Sequence, residues 1–153
     1  MRKLRLSRTA PRLGTLGAIF TLFLAGSALN AEPICTQATM TGTYVSSGGG
    51  TMGANNSGTA SSATVSIGKV TYDGRGNGQA TFTQSVAGVI SRGTAPGTYM
   101  VNSDCTGSKN FGGAGGVNYD FVITADGREI VWIITNAESV VTGRAIRLDN
   151  SSN

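Results

Sequence analysis

The stretch "VNYDFVITADGREIVWIITN", residues 117–136, constrains the fold more than any other part of the chain. Two arms rich in Val, Ile, Tyr, Phe and Trp flank Asp126-Gly127, and such arms around an Asp-Gly pair predict a β-hairpin. Similar punctuation recurs. "DGRGNG" at 73–78 predicts a turn between "SATVSIGKVTY" and "QATFTQSVAGVIS". "ATMTGTYVS" (38–46), "PGTYMVN" (96–102) and "ESVVTGRAIRL" (138–148) read as further strands. Residues 47–61 and 106–116 are dominated by Gly, Ser, Asn and Thr and read as two long loops. In 62–72, Ala63, Val65 and Ile67 share one phase, whereas Val70 and Tyr72 take the other. Gly68 at that switch predicts a β-bulge or sharp bend. No helical stripe of useful length is present.

Strands spaced by roughly ten residues with glycine turns predict an all-β antiparallel fold, a sandwich or a barrel. The run "EIVWIITN" is apolar on both faces, which requires cover on each. That favours a closed barrel of about eight strands over a β-sandwich, and closure also removes hazardous sheet edges.

The N-terminus reads differently. "MRKLRLSRTAPRL" is basic, "GTLGAIFTLFLAG" is apolar for only about 13 residues, and "SALNA" supplies small residues. A spanning helix needs roughly 20. Residues 1–31 therefore predict a helical secretory signal peptide, leaving 32–153 as one domain without a membrane span. The expected location is the periplasm or the extracellular space. The full chain carries a net charge of +4, but five of its twelve basic residues leave with the signal. Seven basic residues then face eight acidic ones, a net charge of about −1. Scattered as they are, they predict no nucleic-acid partner.

Export gives the two cysteines a meaning. Cys35 and Cys105 predict a structural disulfide. It would pin the start of the domain to the glycine-rich middle. No Cys-x-x-Cys spacing suggests redox work.

Chemistry is restricted by the absence of histidine. Ser-His-Asp and Cys-His catalysis and His-ligated zinc are removed together. No acid pair stands out, and Asp73 and Asn77 read as turn residues before they read as calcium ligands. No catalytic residue, metal or cofactor is implied. Tyr44, Tyr72, Phe82, Tyr99, Phe121 and Trp132 are the candidates to line a ligand cavity, with core packing as the plainer use of such rings.

Several fixed points carry a resemblance. Cys35 precedes Gly42-Thr43-Tyr44, "YDGRGNG" makes a turn, "GTYMVNSDCTG" spans 97–107, and "TADGREIVWI" and "SVVTGRAIRL" follow. Together they resemble small exported bacterial β proteins with recurring Gly-Thr-Tyr strands. The architecture is similar to the eight-stranded barrels of calycins and of the allene oxide cyclase and dirigent group. The resemblance implies a fold more than an activity, and the first reading of the chain is an exported barrel that binds a small apolar ligand or a protein partner. A metal-independent isomerase or cyclase and a structural, surface-associated protein are the alternatives.

Overall fold

The computed structural model describes residues 34–53 and 61–148. The predicted signal peptide lies outside the described residues. Eight strands follow a short 3-10 turn, Gln37–Thr39: β1 (Thr41–Met52), β2 (Ser62–Asp73), β3 (Asn77–Val86), β4 (Val89–Val101), β5 (Thr106–Phe111), β6 (Val117–Ile123), β7 (Glu129–Ile134) and β8 (Val140–Arg147). Each pairs antiparallel with the next, and β8 returns to β1, so the sheet is a closed barrel. The hairpin around Asp126-Gly127 forms as expected, with Phe121 opposite Trp132 and Val122 opposite Val131.

Five expectations need correction. Residues 47–52 are not loop: β1 runs through Gly48, Gly49 and Gly50 to Met52, paired with β2 on one side and β8 on the other. Gly48 opposes Gly143, and a Cβ on either would overlap the Trp132 ring. The glycines clear space for an indole, not for a turn. The phase switch at Gly68 is no bulge either, since pairing continues without a break on both sides of β2. Thr64, Ser66, Gly68, Val70 and Tyr72 all lie on the inner face, and Val65 and Ile67 stand exposed outside. The polarity of the interior changes along the strand; the backbone phase does not. Gly68 is needed because the Thr81 carbonyl and Phe82 Cα of β3 come too close for a side chain.

The run "QATFTQSVAGVIS" is two strands, not one. Ala87 and Gly88 both have positive φ, 50° and 86°, and close a two-residue hairpin between β3 and β4. Finally, 106–111 is strand β5, and the glycine turn is confined to 112–116. The apolar outer face of β7 also stays in contact with solvent: Val131 and Ile133 are 52% and 49% exposed.

The inward glycines share one logic. Gly78 faces Tyr72 across the β2–β3 pair, Gly93 faces Phe82, Gly97 faces Phe111, Gly107 faces Phe121, and Gly143 faces Trp132. At each, a Cβ would press into that same partner's ring. The ring thus covers the bare backbone of the neighbouring strand, and the narrow bore holds large aromatics by giving up side chains opposite them. The Gly-Thr-Tyr runs fall in β1 and β4, and both tyrosines enter the barrel at the same end.

That end is plugged. The 3-10 turn lies across it, Met40 is fully buried, and Cys35 is bonded to Cys105 in the β4–β5 turn. Gln37 accepts from Val101 N through its side-chain oxygen and donates to the Tyr99 carbonyl. The Tyr99 hydroxyl donates to the Met40 and Gln37 carbonyls, and the Tyr44 hydroxyl donates to the Gly127 carbonyl at 2.6 Å. The bridge therefore holds a three-residue turn that could not fold alone. It pins the start of the domain to the turn before β5, as expected, and β5 itself is also held by its own strand pairing.

Three turns at the plugged end share a carboxylate device. Asp73 accepts from Arg75 N, Asn77 N and Asn77 Nδ2; Asp104 accepts from Thr106; Asp126 accepts from Thr124 Oγ1 and Arg128 N. These bonds favour the ionised form and hold all three acids below the usual aspartate range.

Candidate functional site

The barrel interior has two parts. Next to the plug it is filled by Met40, Tyr44, Tyr72, Tyr99, Phe121, Ile123 and Ile130. Tyr72 packs edge-on against Tyr44 and Tyr99, with ring centres 5.5 and 5.1 Å apart. Farther from the plug lies a cavity of about 310 Å³. Val70, Ala80, Phe82, Ala95, Phe111 and Trp132 give it a largely apolar wall, and Ser46, Ser66, Gln84 and Lys109 supply polar groups. Gly112, Gly116 and Val117 line it at the far end.

Lys109 sits at the floor of this cavity. It is the sole lysine or arginine among the described residues that is buried, at 6% exposure. Alternation in β5 places Gly107, Lys109 and Phe111 on the inner face. The Lys109 ammonium position lies 5.0 Å from the Tyr119 ring centre, 5.5 Å from Trp132, 5.9 Å from Tyr72 and 6.0 Å from Phe121. Its Nζ donates to the Tyr72 hydroxyl at 3.3 Å. Among the described residues no carboxylate pairs with it, and burial alone lowers its pKa from 10.5 to about 7. Tyr72 is pushed up, first by burial and then by the neighbouring tyrosines. Burial raises Tyr119 as well. Trp132 Nε1 is buried and has no hydrogen-bond partner among the described residues.

Comparison with protein-family models, curated proteins and solved structures found no match. The chemistry must therefore be read from the site alone.

Of the six rings expected to line a cavity, Phe82 and Trp132 do so. Tyr44, Tyr72, Tyr99 and Phe121 are buried in the filled part beneath. Tyr72 still reaches the site through its hydroxyl on Lys109. Phe111 and Tyr119 belong to the wall and carry the edge-on ring contacts on to Trp132, with centres 6.3 and 5.3 Å apart. Lys109 was missed in the sequence because 106–116 read as one loop. The signal was the triplet of alternate residues Gly107, Lys109 and Phe111, which puts a lysine on an otherwise apolar face.

Among the described residues no three acidic, cysteine or histidine side chains come together as a metal site. Asp73 and Asn77 spend their oxygens on the turn itself. No described helix is long and apolar enough to cross a membrane.

Proposed function

We propose that this chain is an exported binding barrel that takes a small, largely apolar molecule into the far half of its interior. The observation that carries the reading is the cavity itself, about 310 Å³ behind aromatic and aliphatic walls with a few polar groups. That combination of size, apolar lining and sparse polar anchors is the usual make-up of a small-molecule site. The closed eight-strand topology suits a binding barrel, and the disulfide suits an oxidising compartment. The plug blocks one end, so the ligand enters from the other.

A neutral fluorescent dye such as phenylnaphthylamine tests the reading. The mature protein is expected to enhance its emission, and Ser66→Phe, which projects a ring into the cavity, is expected to abolish the enhancement without loss of the fold. Equal enhancement by both proteins would place the dye elsewhere and sink the proposal.

Lys109 beside the Tyr72 hydroxyl favours one second reading, a metal-independent isomerase or cyclase. An enzyme would convert a bound ligand under conditions where a carrier returns it unchanged, which mass spectrometry of the recovered ligand distinguishes.

A further inference from the structure

Lys109 is difficult to explain as a packing residue. A buried cation without a counter-ion is unfavourable, and a leucine or methionine would fill the same space without that penalty. Its surroundings are four aromatic rings and one hydroxyl. The rings offer a cation partial compensation only. Nearby, the Trp132 indole N–H lacks an acceptor among the described residues. Three donors, Lys109 Nζ, the Tyr72 hydroxyl and Trp132 Nε1, thus stand in one buried region, and while Lys109 is protonated the only acceptor among them is the Tyr72 oxygen that it already uses. What this cluster lacks is an anionic acceptor.

We propose that the cavity takes a small apolar molecule ending in a carboxylate, with its acid group seated on Lys109 Nζ beside the Tyr72 hydroxyl and its apolar body against Phe82, Phe111 and Trp132. This rests on the binding reading above and names the class of ligand. A carboxylate supplies the missing charge and the missing acceptors together, and hydrogen bonds between ionised partners in a dry site are the strong ones. The titratable groups facing Lys109 are Tyr72 from β2, Tyr119 from β6 and its cross-strand partner Tyr99 from β4; β7 contributes Trp132. Burial raises all three tyrosines, so they remain neutral near pH 7 and Lys109 is the group that changes charge. The unliganded amine holds its proton only below about pH 7. A carboxylate therefore binds together with a proton at higher pH, and its affinity falls about tenfold per pH unit above 7.

Trp132 is the chain's single tryptophan, so its emission reports occupancy directly. Naphthoate, methylnaphthalene and naphthaldehyde share one apolar body and differ in the end group. At pH 6.5 the wild type is expected to bind naphthoate about 10–100-fold more tightly than methylnaphthalene, the range for a hydrogen bond to a charged group. Lys109→Met is expected to lose that preference and bind methylnaphthalene as before. Tyr72→Phe, which keeps the ring and the lysine, is expected to lose about threefold to tenfold for naphthoate alone. Calorimetry at pH 8 in buffers of different ionisation enthalpy is expected to show proton uptake with naphthoate in the wild type and none in Lys109→Met.

Methylnaphthalene binding without a naphthoate preference would overturn the carboxylate assignment and leave the binding barrel standing. Failure of every probe to bind would overturn both. Preference for naphthaldehyde, with a borohydride-trapped adduct on Lys109, would also overturn it, because the lysine would then be a nucleophile for carbonyls instead of an anion anchor.

Discussion

The two halves of this barrel use the same strands in opposite ways. Near the plug, the inner face carries Tyr44, Tyr72, Ile123 and Ile130, each essentially inaccessible to solvent, with every tyrosine hydroxyl there bonded. Toward the far end the same strands turn Ser46, Ser66 and Gln84 inward and place Val65 and Ile67 outside. The near half is a core in the ordinary sense. The far half keeps its wall by backbone pairing and by aromatics laid over glycines, and leaves space within. A packed core and an open cavity are thus divided along the barrel axis, and Lys109 lies at the boundary.

Substitutions can break that division. The largest expected effect is in the filled half. Tyr44→Ala removes a fully buried ring and the bond to the Gly127 carbonyl, and is expected to destabilise by about 4 kcal/mol in urea unfolding. Next comes the plug. The Cys35–Cys105 bridge closes 70 residues, and Cys35→Ser is expected to lower stability by roughly 3–4 kcal/mol in non-reducing buffer. An unchanged denaturant midpoint would show that the plug does not depend on the bridge.

At the boundary the sign reverses. Lys109→Met exchanges a buried, unpaired amine for an apolar chain of similar length and is expected to stabilise by about 1–3 kcal/mol at pH 7. The pH dependence sharpens this. The folded pKa of about 7 lies below the ordinary 10.5, so between those values the unfolded chain binds more protons. Wild-type stability gains from this group as pH rises from about 7 to 10.5, and loses that gain as pH falls back. The advantage of Lys109→Met is therefore greatest at pH 7 and below, and shrinks toward pH 10.5. A constant difference across that range would show that Lys109 is not buried as a neutral amine. The smallest effect belongs to the far half: Ser66→Ala is expected to change stability by less than about 0.5 kcal/mol. A loss as large as that of Tyr44→Ala would erase the distinction between the halves.

Much of the architecture was legible because hairpin chemistry is local. Asp126-Gly127 between β-branched arms, the Asp73–Asn77 turn and the strand spacing are sufficient for an antiparallel all-β chain of about eight strands. The Cys35–Cys105 pairing was legible by elimination, since two cysteines allow one bridge. The glycines misled. Gly48 to Gly50 and Gly107 read as loop because glycine favours turns, yet here Gly48 lies under the Trp132 ring and Gly107 stands opposite Phe121, whose rings need the room. That reason lies on another strand.

The residues by themselves determined most of the strand-forming segments, the Asp73 and Asp126 turns and the single possible disulfide, all of which depend on neighbours in the chain or on counting. Closure decided the rest. Only when β8 pairs with β1 does a lysine in an unassuming "TGSKNF" find itself enclosed by rings from three other strands, and only then does its charge lack water. Desolvation is a property of the whole enclosure, and no segment carries it alone.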